Sequence, residues 1–133
     1  LSSNILLVDD SPTVRNILKI YLMNLKMGFV EAEDATRALQ LLRLVPVKLV
    51  IADINMPGMD GINFVKALRA SPLSHVRDVP VILLTAEKGT DLRQRGVDAG
   101  ANAFINKPVS HHDLTETVRK FLPPTPPPTP PQR

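Results

Sequence analysis

An α/β fold is the class this sequence predicts: a five-stranded parallel sheet, doubly wound by helices on both faces. Two observations carry that expectation. Over roughly the first 120 residues, short strand-like apolar runs alternate with segments of helical period, which is the signature of successive βα units. Most of the strand-like runs are also near-continuously apolar, as strands covered on both faces are.

The elements follow in order. Ile5–Val8 is the first strand. Ser11-Pro12 supplies an N-cap and a first-turn proline for a helix whose apolar stripe is Val14, Ile17, Leu18, Tyr21, Leu22 and Leu25, with Gly28 ending the segment. Phe29–Glu31 is a short, polar strand suited to a sheet edge. Asp34 caps a second helix carrying Ala35, Ala38, Leu39 and Leu42. Leu49–Ala52 is the third strand, and Ile62, Val65 and Leu68 mark the third helix. Val79–Leu84 is the fourth strand. The fourth helix, residues 89–98, is diluted by Gly89 and Gly96. Ala103–Ile105 is the last strand, and Ser110 leads into a helix with Leu114, Val118, Phe121 and Leu122 inward. Right-handed crossovers on both faces make an open sheet. The strand order 2-1-3-4-5 is borrowed from known doubly wound sheets rather than derived. In that order the chain reverses between strands one and three, and ligands of such sheets bind in the crevice at that reversal.

Composition narrows the function. The 133 residues carry a net charge of +3, with no basic run interleaved with aromatics, so direct nucleic-acid binding is not expected. With no cysteine, disulfides and thiolate metal sites are excluded. No apolar stretch has membrane-spanning length, and a cytoplasmic location without membrane contact is the expectation. Residues 1–122 read as one domain. Seven of the 13 prolines fall between Pro123 and Pro131, so residues 123–133 read as a tail or linker, extended to roughly 30 Å at full stretch. An inter-domain spacer is the simpler reading and a proline-rich docking segment the other.

The candidate site residues all stand at strand ends. Asp9 and Asp10 close the first apolar strand and Asp53 closes the third, so three carboxylates converge on the crevice. Such a cluster repels itself and calls for a cation. All-oxygen ligands favour a hard dication such as Mg²⁺ over zinc, the more so with histidine only at 75, 111 and 112. Lys107, before Pro108, would bring a positive charge to the same place, and could hold a phosphoryl group as a point charge. Thr85 ends the fourth strand with a hydroxyl able to donate there.

These residues resemble a known family. Asp9-Asp10, Asp53 with the loop Met56-Pro57-Gly58-Met59-Asp60-Gly61, Thr85-Ala86 and Lys107-Pro108 look like the CheY-like receiver domains of two-component response regulators. The likeness spans residues 4–122, and its four motifs are specific as an ordered set. The resemblance implies a flavodoxin-like sheet. It implies that Asp53 is the nucleophile that takes a phosphoryl group from a phosphohistidine. Asp10, Asp53 and the backbone carbonyl of Asn55 would bind Mg²⁺ (Mn²⁺ as the alternative), with Asp9 assisting. Lys107 would pair with the phosphoryl oxygens, Thr85 and Phe104 would form the switch, and Lys107–Pro108 would be a cis bond. Asn55 and Glu87 resemble the pair that tunes rapid self-dephosphorylation in chemotaxis-type members. Close relatives often have Tyr where this chain has Phe104, which removes a hydroxyl from the face that partners read. The implied partners are a sensor histidine kinase or phosphotransfer protein, and a downstream domain or effector.

Two other readings compete. A phosphatase of the haloacid-dehalogenase type also uses an aspartyl nucleophile, but needs an acid two residues on, where this chain has Asn55. A flavin-binding module needs a phosphate-friendly loop after the first strand, where Asp9-Asp10 would repel phosphate; nor is there a Walker loop. The expected chemistry is therefore self-phosphorylation and self-dephosphorylation in a signalling domain, not turnover of an external substrate.

Overall fold

The computed structural model describes residues 4–87 and 89–122. The proline-rich segment 123–133 lies outside them. The described chain runs β1 (Asn4–Val8), α1 (Pro12–Leu22), β2 (Gly28–Ala32), α2 (Ala35–Leu44), β3 (Leu49–Asp53), α3 (Gly61–Arg69), α4 (Ser74–Arg77), β4 (Val81–Thr85), α5 (Thr90–Ala99), β5 (Ala103–Asn106) and α6 (His111–Phe121). The five strands form one parallel sheet in the order β2-β1-β3-β4-β5, as expected.

Each strand rule is visible in burial. Leu49–Asp53 and Val81–Thr85 are buried at every position, being central and covered on both faces. The polar strand β2 sits at an edge, with Gly28 and Glu31 exposed, Phe29 and Val30 half-buried, and only Ala32 buried. Two apolar layers flank the sheet. Ile5, Leu7, Leu49, Ile51, Ile82 and Leu84 face Leu18, Leu22, Leu114 and Val118 of α1 and α6. Leu6, Val8, Val50, Ala52, Val81 and Leu83 face α2, α3 and α5. Alternate residues of one strand thus feed opposite layers, which is the period-two geometry of a pleated strand.

Three helices begin at the caps the sequence indicates, Ser11, Asp34 and Ser110, and a fourth begins at Asp60, which the sequence reading did not mark. The side chains of Ser11, Asp34, Asp60 and Ser110 accept the backbone N–H of Val14, Arg37, Asn63 and Asp113 at 3.3, 2.8, 2.8 and 3.0 Å.

The structure departs from expectation at four places. Gly28 opens β2 rather than ending the first helix; the chain leaves that helix through a 3₁₀ turn, Met23–Leu25, and reverses at Lys26, a non-glycine residue with φ of 56°. The short helix α4 was not anticipated, because four residues after a proline carry no measurable period. The fourth strand starts at Val81 rather than Val79: the ladder with β3 begins at Val50–Val81, and the carbonyl of Val79 instead accepts from Arg69. The helix expected over 89–98 runs Thr90–Ala99, with Gly96 inside it and buried. A β-carbon on Gly96 would lie 2.2 Å from Cζ of Phe104, so this glycine is a seat for an aromatic ring rather than a weakness in the helix.

The lower end of the sheet is tied by one side chain. Arg69 donates from Nε and Nη2 to the carbonyl of Gly100 (3.1 and 2.8 Å), from Nη1 to the carbonyls of Arg77 and Val79 (2.7 and 2.6 Å), and from Nη2 to Oδ1 of Asn102 (2.8 Å). One guanidinium so joins α3, the α4–β4 link and the turn after α5. Nothing in the sequence pattern marked it.

Candidate functional site

The site is built at the carboxyl ends of β1, β3 and β5. β1 and β3 are adjacent, in register from Ile5–Leu49 to Val8–Ala52, so the residues that follow them stand side by side. This places carboxylate oxygens of Asp9, Asp10 and Asp53 all within 4.8 Å of one another. Asp9 and Asp53 are buried (1% and 4% exposed), whereas Asp10 faces solvent. The cluster therefore has two walls in protein and one open toward water.

Lys107 answers the charge. Its Nζ lies 3.0 Å from Oδ2 of Asp53 and 3.5 Å from Oδ2 of Asp9. The strand that delivers it is tied down nearby, because the Lys107 N–H donates to the carbonyl of Thr85 at 2.8 Å. The Lys107–Pro108 bond is cis. Burial opposes the Lys107 ammonium, but hydrogen bonding and attraction from Asp53 and then Asp9 outweigh it and hold its pKa above the usual lysine value. For Asp9 burial wins: desolvation raises its pKa despite the Ser11 N–H and Lys107.

Two backbone groups orient the carboxylates. The N–H of Ser11 donates to Oδ1 of Asp9 at 2.9 Å, and the N–H of Asn55 to Oδ1 of Asp53 at 3.2 Å. The loop after Asp53 folds back tightly, with the Gly61 N–H donating to the Ile54 carbonyl at 2.8 Å. A β-carbon at Gly61 would lie 2.6 Å from the Asp53 carbonyl oxygen, so only glycine fits beside that backbone. Gly58 turns the loop with φ of 78°.

The residues expected to form a switch, Thr85 and Phe104, are not gathered onto the acids. Thr85 is fully buried at the end of β4, and its hydroxyl is engaged with Glu87: Oγ1 accepts the Glu87 N–H at 3.0 Å and lies 3.4 Å from the Glu87 carbonyl. Glu87 itself is exposed, as is Asn55. Phe104 is half-buried, its ring against Gly96 and under the guanidinium of Arg93, 5.6 Å from the ring centre. Arg93 also donates to Oδ1 of Asn106 at 3.2 Å. The sequence reading named Gly61 only as part of the loop and Gly96 only as diluting a helix, and it missed Arg93; the last two matter only through a ring brought from a distant strand.

Residues 5–119 match the family model described as the response regulator receiver domain. The chain belongs to that family. Among relatives of this receiver domain, the chemotaxis protein CheY of Pseudomonas aeruginosa is 38% identical over 121 residues, covering 89% of this chain and 94% of that protein. The phosphate regulon transcriptional regulatory protein PhoB of Escherichia coli is 32% identical over 122 residues, but those cover only 52% of its length. A solved structure of the Vibrio cholerae chemotaxis protein CheY4 superposes with a TM-score of 0.84 at 30% identity, covering 92% of this chain and all of that one. The receiver domain is thus a phosphoacceptor module of two-component signalling. No helix among the described residues is long and apolar enough to cross a membrane.

Proposed function

We propose that Asp53 is the phosphoacceptor of this receiver domain and that Asp9, Asp10, Lys107 and Thr85 serve it. The observation that carries the reading is the buried Asp53 carboxylate, 3.0 Å from the Lys107 ammonium and grouped with two further acids at the mouth of the sheet. An oxygen of Asp53 attacks the phosphorus of a phosphohistidine on a sensor kinase or phosphotransfer protein. The P–N bond breaks, its electron pair stays on the imidazole nitrogen, and a mixed anhydride forms on Asp53.

The donor set fits a hard dication. The cluster offers carboxylate oxygens only, and burial has raised the pKa of Asp9, the mark of a carboxylate short of counter-charge. Asp10, Asp53 and the Asn55 backbone carbonyl would hold Mg²⁺ or Mn²⁺, with Asp9 assisting. Bound there, the ion would neutralise charge on the transferring phosphoryl group. Lys107 stands beside the acceptor oxygen and pairs with the added charge of about −2.

The new oxygens compete with the Glu87 backbone for the Thr85 hydroxyl. Its departure frees the loop after β4, and with it the Phe104 ring and α5. The face spanning residues 85–107 is then the surface read by an effector or a following domain. Asn55 and Glu87, both exposed, two residues after Asp53 and Thr85, tune the return by hydrolysis.

The test is incubation with acetyl phosphate and Mg²⁺. Wild type is expected to be labelled and Asp53→Asn not; equal labelling of both would move the nucleophile elsewhere. Backbone NMR shifts of residues 85–107 should change with a phosphoryl mimic, and unchanged shifts would remove the switch.

A further inference from the structure

Arg15 of α1 is not among the residues used so far, yet it grips the site. Its Nε lies 3.0 Å from Oε1 of Glu31 on β2, and its Nη1 donates to the backbone carbonyl of Asp9. Lys19, one helical turn on, holds the other oxygen of Glu31 at 3.0 Å. The Arg15 side chain is largely covered (14% exposed), unlike an ordinary surface pair.

The target of that grip matters. The Asp9 carbonyl belongs to the planar peptide that joins Asp9 to Asp10. Every other group of Asp9 is also held: its N–H by the Ala32 carbonyl at 3.1 Å, Oδ1 by the Ser11 N–H at 2.9 Å, and Oδ2 near Lys107 at 3.5 Å. Asp10 is exposed, and the peptide plane before it sets the position of its Cα and the direction of its N–Cα bond. Arg15 holds that plane, Glu31 holds Arg15, and Lys19 holds Glu31.

We propose that Arg15, held by Glu31, is a positioning residue for the divalent-cation site, orienting Asp9 and Asp10 through the peptide between them. This rests on the cation-site reading given above. Its consequence runs against simple electrostatics. A positive charge near a cation site weakens binding by repulsion, so removing it should tighten binding if charge were the whole story. Positioning predicts the reverse. Lysine would keep the charge but lack the two-pronged fork that spans Glu31 and the Asp9 carbonyl.

The experiment is calorimetric titration of the full chain with Mg²⁺ alone, for wild type, Arg15→Lys, Arg15→Gln and Asp10→Asn, with metal-free melting curves alongside. Both Arg15 variants are expected to bind roughly tenfold more weakly, at the lower end of what loss of an outer-shell partner costs a metal site. Acetyl phosphate labelling should then recover at raised Mg²⁺ while the metal-free melting curves match wild type; a merely destabilised domain would instead melt lower without metal. Wild-type affinity in Arg15→Lys, or tighter binding in Arg15→Gln, overturns the role of Arg15. Should Arg15→Gln fail to fold, Arg15→Lys decides alone. Absent binding by wild type, or undiminished binding by Asp10→Asn, overturns the cation site itself and so is distinguishable.

Discussion

Gly96→Ala is a substitution whose sign the tertiary structure reverses. In an isolated helix the change would stabilise by about 1 kcal/mol, because glycine is a poor helix former. Here the new methyl would lie 2.2 Å from Cζ and 2.6 Å from Cε1 of Phe104, far inside van der Waals contact. The ring must leave its seat on α5. Overpacking of this kind costs about 1–3 kcal/mol. Displacement also gives up the Arg93 stacking, worth about 0.5–1 kcal/mol at such a site. The net expectation is a destabilisation of about 1–2 kcal/mol, the propensity gain offsetting part of the loss. The assay is urea unfolding followed by far-ultraviolet circular dichroism, in two backgrounds. In Phe104→Ala the clash disappears, and Gly96→Ala should stabilise by about 1 kcal/mol, so the cycle shows coupling of about 2–3 kcal/mol. Equal stabilisation by Gly96→Ala in both backgrounds would refute the seat.

Other outcomes follow from the same geometry. Arg69→Ala leaves the Gly100, Arg77 and Val79 carbonyls without their donor and should cost about 3 kcal/mol or more, read as a lowered urea midpoint; an effect below about 0.5 kcal/mol would mean water replaces the guanidinium freely. Asp9→Asn should stabilise the metal-free domain at neutral pH. The folded pKa of Asp9 is raised by burial, so its favourable protonated contribution is complete below 3.8 and lost as pH rises through the folded value. The gain should appear in melting experiments at neutral pH, vanish in strong acid, and be accompanied by loss of any stabilisation that Mg²⁺ confers on wild type. A destabilised Asp9→Asn at neutral pH without metal would contradict it.

Much of the architecture was legible because it rests on local rules. Ser11, Asp34 and Ser110 announce helix starts by side-chain chemistry that acts within three residues, and the structure has each cap bonded. The apolar runs ending in Asp9, Asp53 and Thr85 are legible as buried strands because they must satisfy both faces of the sheet at once. Illegible were α4, which is too short for a period, and the turn at Lys26, where a non-glycine residue takes a left-handed conformation. The strand order was adopted by analogy, since a run such as Leu49–Ala52 contains no instruction about its neighbour.

The candidate site divides along the same line. The sequence by itself determined which groups stand at the ends of strands: Asp9, Asp10, Asp53, Thr85 and Lys107, each following an apolar run that a sheet must bury. The tertiary structure alone decided their relations. It brought Lys107 to 3.0 Å from an aspartate 54 positions earlier, turned the Thr85 hydroxyl to the Glu87 backbone, and laid Phe104 on Gly96. It also recruited Arg15 and Arg69, whose partners lie on other elements. Burial pattern is written in residue type and period, which act locally. Pairwise geometry depends on register, crossover and rotamer, which exist only once distant segments have packed.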